Sequence, residues 1–365
     1  MHLKNPVPQI QIYSLKNIDY WYWCRYYIET QQTCCYKCSY CNTQNPLATE
    51  GLYNSRGLPE KKETIGFGLL NEPLDRRSIF LTAEIFKTLY EHGYGLNILT
   101  KSEIDETIEE LVLSNLTQFI KSDRVRVTVT LITLKQKLHS ILEEGTPEPE
   151  KRLQTLKKLS SAGIPTGVAI TPIIPGLNDD IDEIEEMIRK AAENGAKWVL
   201  FSGLASDHYS MKHFFEAEPG KRVANLFNDK DRLEKRYREI KQRVIKLITE
   251  MGLHIRIPRI VFTPQDPFHM NYRVSEILFN LSYIYELHGE WFKMGMFRRA
   301  GAIIENLTKP IKRLVLEGDL EYYRGINPDV ESIIREVIYT GDSKLYSYYL
   351  KNITVSPGLA EINNL

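Results

Sequence analysis

The stretch Thr33-Cys-Cys-Tyr-Lys-Cys-Ser-Tyr-Cys-Asn42 decides how this chain is read. Cys34, Cys38 and Cys41 stand there in a CxxxCxxC spacing. Three thiolates on one tight loop can hold three irons of a cubane [4Fe–4S] cluster, which normally takes four cysteine ligands. After Cys41 the chain has no further cysteine, and the next histidine is His92. A structural zinc site needs four ligands, usually completed by a second Cys/His pair at short range, so zinc or an inert loop is the poorer reading. Cys35 can in principle replace Cys34, although CxxCxxC is a weaker match, and Cys24, in an aromatic run, reads as packed core.

A length of 365 residues exceeds what one core usually supports, which implies two domains. Lys and Arg number 47, as do Asp and Glu. With no net charge, any affinity for nucleic acid must come from local clusters rather than from bulk attraction. Five cysteines gathered near one end make no disulfide framework. With no signal peptide and no apolar run of spanning length, the chain reads as cytoplasmic and without a membrane partner.

Between residues 20 and 262 short β-rich runs alternate with helical ones. Strands are expected at 23–29, 64–70, 95–100, 124–131, 166–173 and 197–203, and helices at 78–92, 103–119, 149–162, 180–193 and 230–251. Gly163 and Gly195 stand where glycines end helices. Repeated βα units imply an α/β fold with a parallel sheet, and right-handed crossovers would curl six of them into a partial (β/α)6 barrel. Ligands then sit at the carboxyl ends of the strands, and the cysteine loop directly follows the first.

Further strand ends surround the same mouth. Asn71 and Glu72 follow the second strand, and Lys101 ends the third with a cation. Thr128 and Thr130 share one face of the fourth by the two-residue period. The fifth runs into Thr171-Pro-Ile-Ile-Pro-Gly-Leu-Asn178, a stiff turn whose glycine admits close approach of a nucleoside. The run Tyr20-Trp-Tyr-Trp23 invites base stacking, but alternation on a first strand buries half of it, so core packing is the better reading.

The CxxxCxxC spacing with Tyr40 before its last cysteine resembles the radical-SAM superfamily. Taken with IGFGLLNEP, ILTKSEI and GIPTGVAITPIIPGLND, it resembles the spore photoproduct lyase-like, or DNA repair photolyase, branch over residues 20 to 205. The resemblance implies that Cys34, Cys38 and Cys41 bind a [4Fe–4S] cluster whose open iron takes S-adenosylmethionine (SAM). It also implies that Tyr40 lies near the adenine, and that Asn71, Glu72, Lys101 and Thr128 or Thr130 contact SAM. One departure stands out. Spore photoproduct lyases carry a hydrogen-donating cysteine beside the second strand, and the region near Leu69 has none. The hydrogen donor is left unassigned, and repair by the family's usual radical return is in doubt.

The domain reading is a radical-SAM unit over 1–262, a linker at 263–273, a small all-α domain over 274–353 and a tail at 354–365. Helices are expected at 274–288, 294–306, 310–316, 320–323 and 329–339. This run resembles the amino-terminal helix-hairpin-helix domain of family X DNA polymerases. The hairpin would be Arg324-Gly325-Ile326-Asn327-Pro328, with Asn327 replacing a second glycine through its tolerance of positive φ. Gly325 and Asn327 would then offer backbone N–H groups to phosphate, with Arg298, Arg299 and Arg324 as candidate side-chain contacts. The lysine nucleophile of that family's lyase is matched here by Ile333, and Asp329 stands where a phosphate-facing lysine would be. The resemblance therefore implies grip without lyase chemistry.

The sequence thus points to a radical-SAM enzyme acting on damaged or modified DNA, supplied with electrons by a carrier such as flavodoxin or ferredoxin. The alternatives are modification of RNA or a protein, or an iron–sulfur DNA-binding sensor without turnover.

Overall fold

The computed structural model describes residues 10–31, 33–41, 52–55, 57–204, 212, 214–262 and 266–352. Asn42, residues 263–265 of the expected linker, residue 353 and the expected tail at 354–365 lie outside the described residues. The chain divides into two compact units, Met1–Ile260 and Val261–Leu365.

The first unit is mixed α/β, a central sheet with flanking helices. Its strands are β1 (Gln11–Asp19), β2 (Cys24–Glu29), β3 (Lys37–Cys38), β4 (Leu52–Asn54) and β5 (Thr64–Phe67), then β6 (Gly95–Thr100), β7 (Val125–Thr130), β8 (Glu143–Glu144), β9 (Thr166–Ile173) and β10 (Val199–Gly203). The main sheet runs β10-β9-β7-β6-β5-β2-β1-β4. Its six strands from β2 to β10 are all parallel neighbours, in chain order. Helices cover this parallel run, and all six residues of β7 are buried although Arg126, Thr128 and Thr130 alternate with its valines. The flanking helices include Ile79–Glu91, Pro149–Ser161, Ile181–Glu193 and Lys230–Glu250.

Three features depart from the sequence expectation. The aromatic run is a turn and not the start of a strand: Trp21 N donates to Asp19 Oδ1 at 2.8 Å, and Trp23 has φ +57°. The turn joins β2 to an antiparallel β1, whose weak alternation and exposed Lys16 and Asn17 had hidden it. The helix expected at 103–119 is built from Glu106–Ile108, a π-helical turn Glu109–Leu113 and Ser114–Ile120. A further helix, Gln136–Leu142, leads into β8, which pairs with β3 in a separate two-stranded ladder.

After its last helix the first unit lays residues 254–260 across the amino ends of the strands. His254 N donates to Lys197 O and accepts at its carbonyl from Val199 N, both at 2.9 Å. Arg126 Nε donates to Pro258 O at 2.9 Å, Trp23 Nε1 to Ile257 O at 2.8 Å, and Ile260 packs on Gly95. Arg256 lies over the rings of Tyr20, Trp21 and Trp23. With the amino ends covered in this way, the carboxyl ends are left for ligands.

The second unit has helices His269–Leu287, Trp291–Glu305, Ile311–Glu317, Pro328–Thr340 and Lys344–Lys351, a 3-10 turn Asp319–Tyr322, and no strand among the described residues. The first of these helices buries 14 of its 19 residues, as a helix surrounded by others must.

β2 and β5 touch most closely where Tyr27 lies over Gly66, and a Cβ at Gly66 would stand 2.4 Å from the ring. Gly66→Ala is expected to cost about 1–3 kcal/mol as overpacking. It should appear as a lower urea midpoint at unchanged slope.

Candidate functional site

β2 ends at Glu29, and the chain turns over the carboxyl edge of the sheet into the cysteine loop. That loop is tied down. β3 pairs with β8 so that Cys38 faces Glu143, Ser39 N donates to Leu142 O at 2.8 Å, and Cys41 N to Cys38 O at 3.0 Å. Tyr36 shares a hydrogen bond of 3.1 Å with Ser102 Oγ, just past the end of β6.

Beneath the loop lies a buried charge cluster. Glu143 and Arg152 are each 1% exposed, with Arg152 Nη2 2.6 Å from Glu143 Oε2. Tyr40 Oη donates to Glu143 Oε1, and Lys101 Nζ stands 3.9 Å from the same oxygen. Arg152 also donates to Pro147 O (2.9 Å), Thr130 O (3.0 Å) and Thr146 Oγ1 (2.5 Å). Burial pushes the Glu143 carboxyl up, but Arg152 and Lys101 outweigh it and hold the group below its ordinary range. Burial likewise opposes the charge on Lys101, and the nearby Cys38 and Glu143 overcome it, raising the ammonium pKa.

The other expected residues are held in different ways. Asn71 Nδ2 donates to Gln31 O at 2.8 Å, fastening the loop after β5 to the start of the cysteine loop. Glu72 accepts from Thr100 Oγ1 (2.5 Å), Leu74 N (3.1 Å) and Lys101 N (2.8 Å), so its carboxylate joins the ends of β5 and β6. Thr128 accepts from Trp198 Nε1 at 3.0 Å and lies in the core. Thr130, on the same face and nearer the carboxyl edge, is 2% exposed, and its hydroxyl has no hydrogen-bond partner among the described residues. The geometry thus gathers Cys38, Tyr40, Lys101 and, through Arg152, the Thr130 backbone. Asn71 and Glu72 brace the neighbouring loops.

Sequence reasoning missed Glu143, Arg152 and Glu29. Arg152 carried a signal, since it falls on the apolar stripe of its helix with Leu156 and Leu159, where a cation needs a buried partner. Glu143 and Glu29 carried none.

Among the described residues no three His, Cys, Asp or Glu side chains come together as a ready metal-holding group. Cys34 is engaged by Cys35 through a side-chain hydrogen bond, the main cause that lowers its pKa to about 6. Burial drives Cys38 up to about 12, against the attraction of Lys101. As a donor set the loop suits iron and sulfide: three partly buried thiols within one short segment, beside a buried cation that offsets thiolate charge. Joining them on one cluster requires Cys34 to turn from Cys35.

In the second unit the expected hairpin takes its shape from Gly325, with φ +108° and the side chains of Arg299 and Ile303 within 3.0 Å of where a Cβ would lie. Asn327 departs from expectation. Its φ is −90°, so no glycine-like conformation is required; it caps the helix Pro328–Thr340 by accepting from Val330 N at 2.9 Å. Arg299 and Arg324 are exposed, while Arg298 is bound to Glu286 at 2.6 Å. Residues 261–365 carry 11 Lys and Arg against 13 Asp and Glu, so this unit has no bulk attraction for a polyanion.

No family model matches the chain. It is similar to an uncharacterized protein of Mycobacterium tuberculosis, 28% identical over 202 residues, which covers 53% of this chain and 58% of that relative. It is also similar to an uncharacterized protein of Methanocaldococcus jannaschii, 35% identical over 99 residues, covering 27% of this chain and 35% of the other. The chain therefore spans little more than half the length of the mycobacterial relative. Among solved structures it is similar to spore photoproduct lyase complexed with dinucleoside spore photoproduct, at TM-score 0.46 and 13% identity, covering 61% of this chain and 73% of that one. It is likewise similar to Streptococcus suis SuiB bound to precursor peptide SuiA, at TM-score 0.40 and 16% identity, covering 61% and 46%. No helix among the described residues is long and apolar enough to cross a membrane.

Glu29 offers a test of the strand-end electrostatics. It is 2% exposed and accepts from Leu70 N at 2.9 Å, and burial pushes its carboxyl up to about 8. The folded state therefore holds the proton between the ordinary value of 4.5 and about 8, and stability falls as pH rises through that window. Glu29→Gln, which resembles the neutral acid, is expected to melt with the wild type near pH 4.5 and several degrees above it at pH 8.5. Calorimetry on cluster-free protein measures the gap.

Proposed function

We propose that residues 1–262, which contain the first unit Met1–Ile260, are a radical-SAM enzyme built as a partial (β/α)6 barrel. The observation that carries this reading is a three-cysteine loop leaving the first parallel strand at the carboxyl edge of a six-stranded parallel run, with a partly buried lysine beneath it. When bound, a [4Fe–4S] cluster with one open iron would take the amino and carboxylate groups of SAM and supply the electron that cleaves it to methionine and a 5'-deoxyadenosyl radical.

The chain's residues would divide the remaining work. Cys34, Cys38 and Cys41 hold the irons. Lys101, close to Cys38, offsets thiolate charge and can meet a carboxylate as a point charge. Tyr40 would bound the adenine side, Asn71 and Glu72 would shape the loop that faces the amino group, and Thr130, whose buried hydroxyl has no hydrogen-bond partner among the described residues, would turn it toward a bound nucleoside. Thr128, already bonded by Trp198, supports that wall from below.

The substrate we infer is damaged or modified DNA, with a target base extruded to reach the site. Residues 274–353 would then serve as a helix-hairpin-helix grip; the expected linker at 263–273 is shorter than the sequence implied, since its last five residues already belong to the helix His269–Leu287. Its phosphate contacts would be Arg299, Arg324 and the N–H groups about Gly325 and Asn327. Arg298, committed to Glu286, is the weakest candidate. The acidic balance of residues 261–365 favours a second reading, in which this unit tethers the enzyme to a protein or RNA substrate. A cytoplasmic flavodoxin or ferredoxin would supply electrons.

The test is anaerobic reconstitution with iron and sulfide, then SAM and dithionite, with 5'-deoxyadenosine measured by mass spectrometry with and without ultraviolet-irradiated duplex DNA. Formation that rises with irradiated DNA and vanishes in Cys38→Ala is the expected result. Formation indifferent to DNA would move the substrate to RNA or protein, and none from an intact cluster would end the radical-SAM reading.

A further inference from the structure

We propose that Glu143 is a positioning residue: braced by Arg152, it holds the cysteine loop and Lys101 in one fixed relation, and so sets where the cluster meets the ligand of its open iron. The loaded-state part of this inference rests on the radical-SAM reading; the part that concerns the order of the loop does not.

The geometry converges on this one side chain from three directions. Its backbone lies opposite Cys38 in the β3–β8 ladder, its Oε1 accepts a hydrogen bond from the Tyr40 hydroxyl, and the same oxygen faces Lys101. A cluster ligand, the aromatic residue between two ligands, and the cation of the neighbouring strand end are thereby referred to a single carboxylate. The two-residue ladder cannot do this alone, since so short a pairing leaves the loop few backbone bonds.

The carboxylate is immobile. A buried ion is tolerated only where it is paired and hydrogen-bonded, and Arg152 meets that need while tying itself to Thr130 O, Pro147 O and Thr146 Oγ1. Arg152 thus fastens the site to the carboxyl end of β7. Lys101 has the looser hold, 3.9 Å from Glu143. Lys101 and Arg152 both face Glu143, and the Glu72 carboxylate, which accepts from Lys101 N, brings a second negative charge to the same group, so the charges nearly balance. An iron–sulfur cluster on three thiolates is an anion, as is a carboxylate bound at its open iron, and the Lys101 ammonium is the cation placed to meet them.

A merely structural ion pair would change stability and nothing else. A positioning residue changes the loop and the site while the core stays intact. Replacing Glu143 by Gln alone strands the Arg152 charge, so the informative variants are Glu143→Gln with Arg152→Gln, the charge-keeping Glu143→Asp, and Tyr40→Phe, which removes the loop's side-chain tie to Glu143 and leaves the buried pair in place.

The experiment has two arms on the full chain. In cluster-free, reduced protein, iodoacetamide labelling is followed at each cysteine peptide. Cys38 and Cys41 are expected to label about fivefold faster in Tyr40→Phe and in the double variant, the factor for about 1 kcal/mol of lost hold on the loop. Cys24, fully buried, should stay protected and report the fold. In reconstituted protein, the electron paramagnetic resonance signal of the reduced cluster is recorded with and without SAM. The wild-type shift on adding SAM should be lost in the double variant and partly restored in Glu143→Asp. Unchanged labelling in Tyr40→Phe, or a wild-type SAM response in the double variant, overturns the proposal. If the double variant also exposes Cys24, its fold is lost and Tyr40→Phe alone decides. A wild type that takes up no iron ends the radical-SAM reading and leaves the labelling arm to judge Glu143.

Discussion

A carboxylate removed from water is stable only where its surroundings replace the solvent, and in this molecule the replacement at Glu143 organises the functional edge. Arg152 supplies the counter-charge, and by spending its remaining donors on carbonyls at the end of β7 and on the turn before its own helix it makes that counter-charge rigid. The cysteine loop, the strand carrying Lys101 and the helix carrying Arg152 come from three separate stretches of chain, yet they share one electrostatic centre. Without that centre the loop would keep only its ladder with β8 and the Tyr36–Ser102 bond to relate thiol and ammonium.

Much of this architecture was legible in the residues. Short runs rich in β-branched and apolar residues, bounded by turn residues, announce strands, and β6, β7 and β9 fell within a residue or so of the expected bounds. What escaped was structure held by partners distant in sequence. β1 is an edge strand with weak alternation, and only its pairing with β2 makes it a strand. The aromatic turn had the composition of a strand and the conformation of a bend, because Asp19 captures the Trp21 amide and Arg256 covers the rings from far along the chain. Periodicity reports which face is apolar; it is silent on which ion meets which.

The candidate site divides in the same way. The cysteine spacing and the lysine at a strand end are local features and were read directly. Glu143 was invisible, since a Glu-Glu pair after a short amphipathic helix looks like solvated surface until Arg152 is seen beneath it. Asn327 shows the opposite hazard: a residue whose left-handed tolerance suggested one conformation takes another, because its side chain is worth more as a helix cap.

Residues 254–260 have a further consequence, one of timing. The bond from Trp23 to the Ile257 carbonyl joins points 234 residues apart, so the turn leading into the cysteine-bearing strand acquires its anchor late. On a ribosome, which releases the amino-terminal part of a chain first, the thiols emerge long before the segment that closes the foot of their sheet. A nascent chain thus presents its cysteine loop on an unfinished scaffold, and a settled arrangement of the three thiols must await the end of the first unit's synthesis.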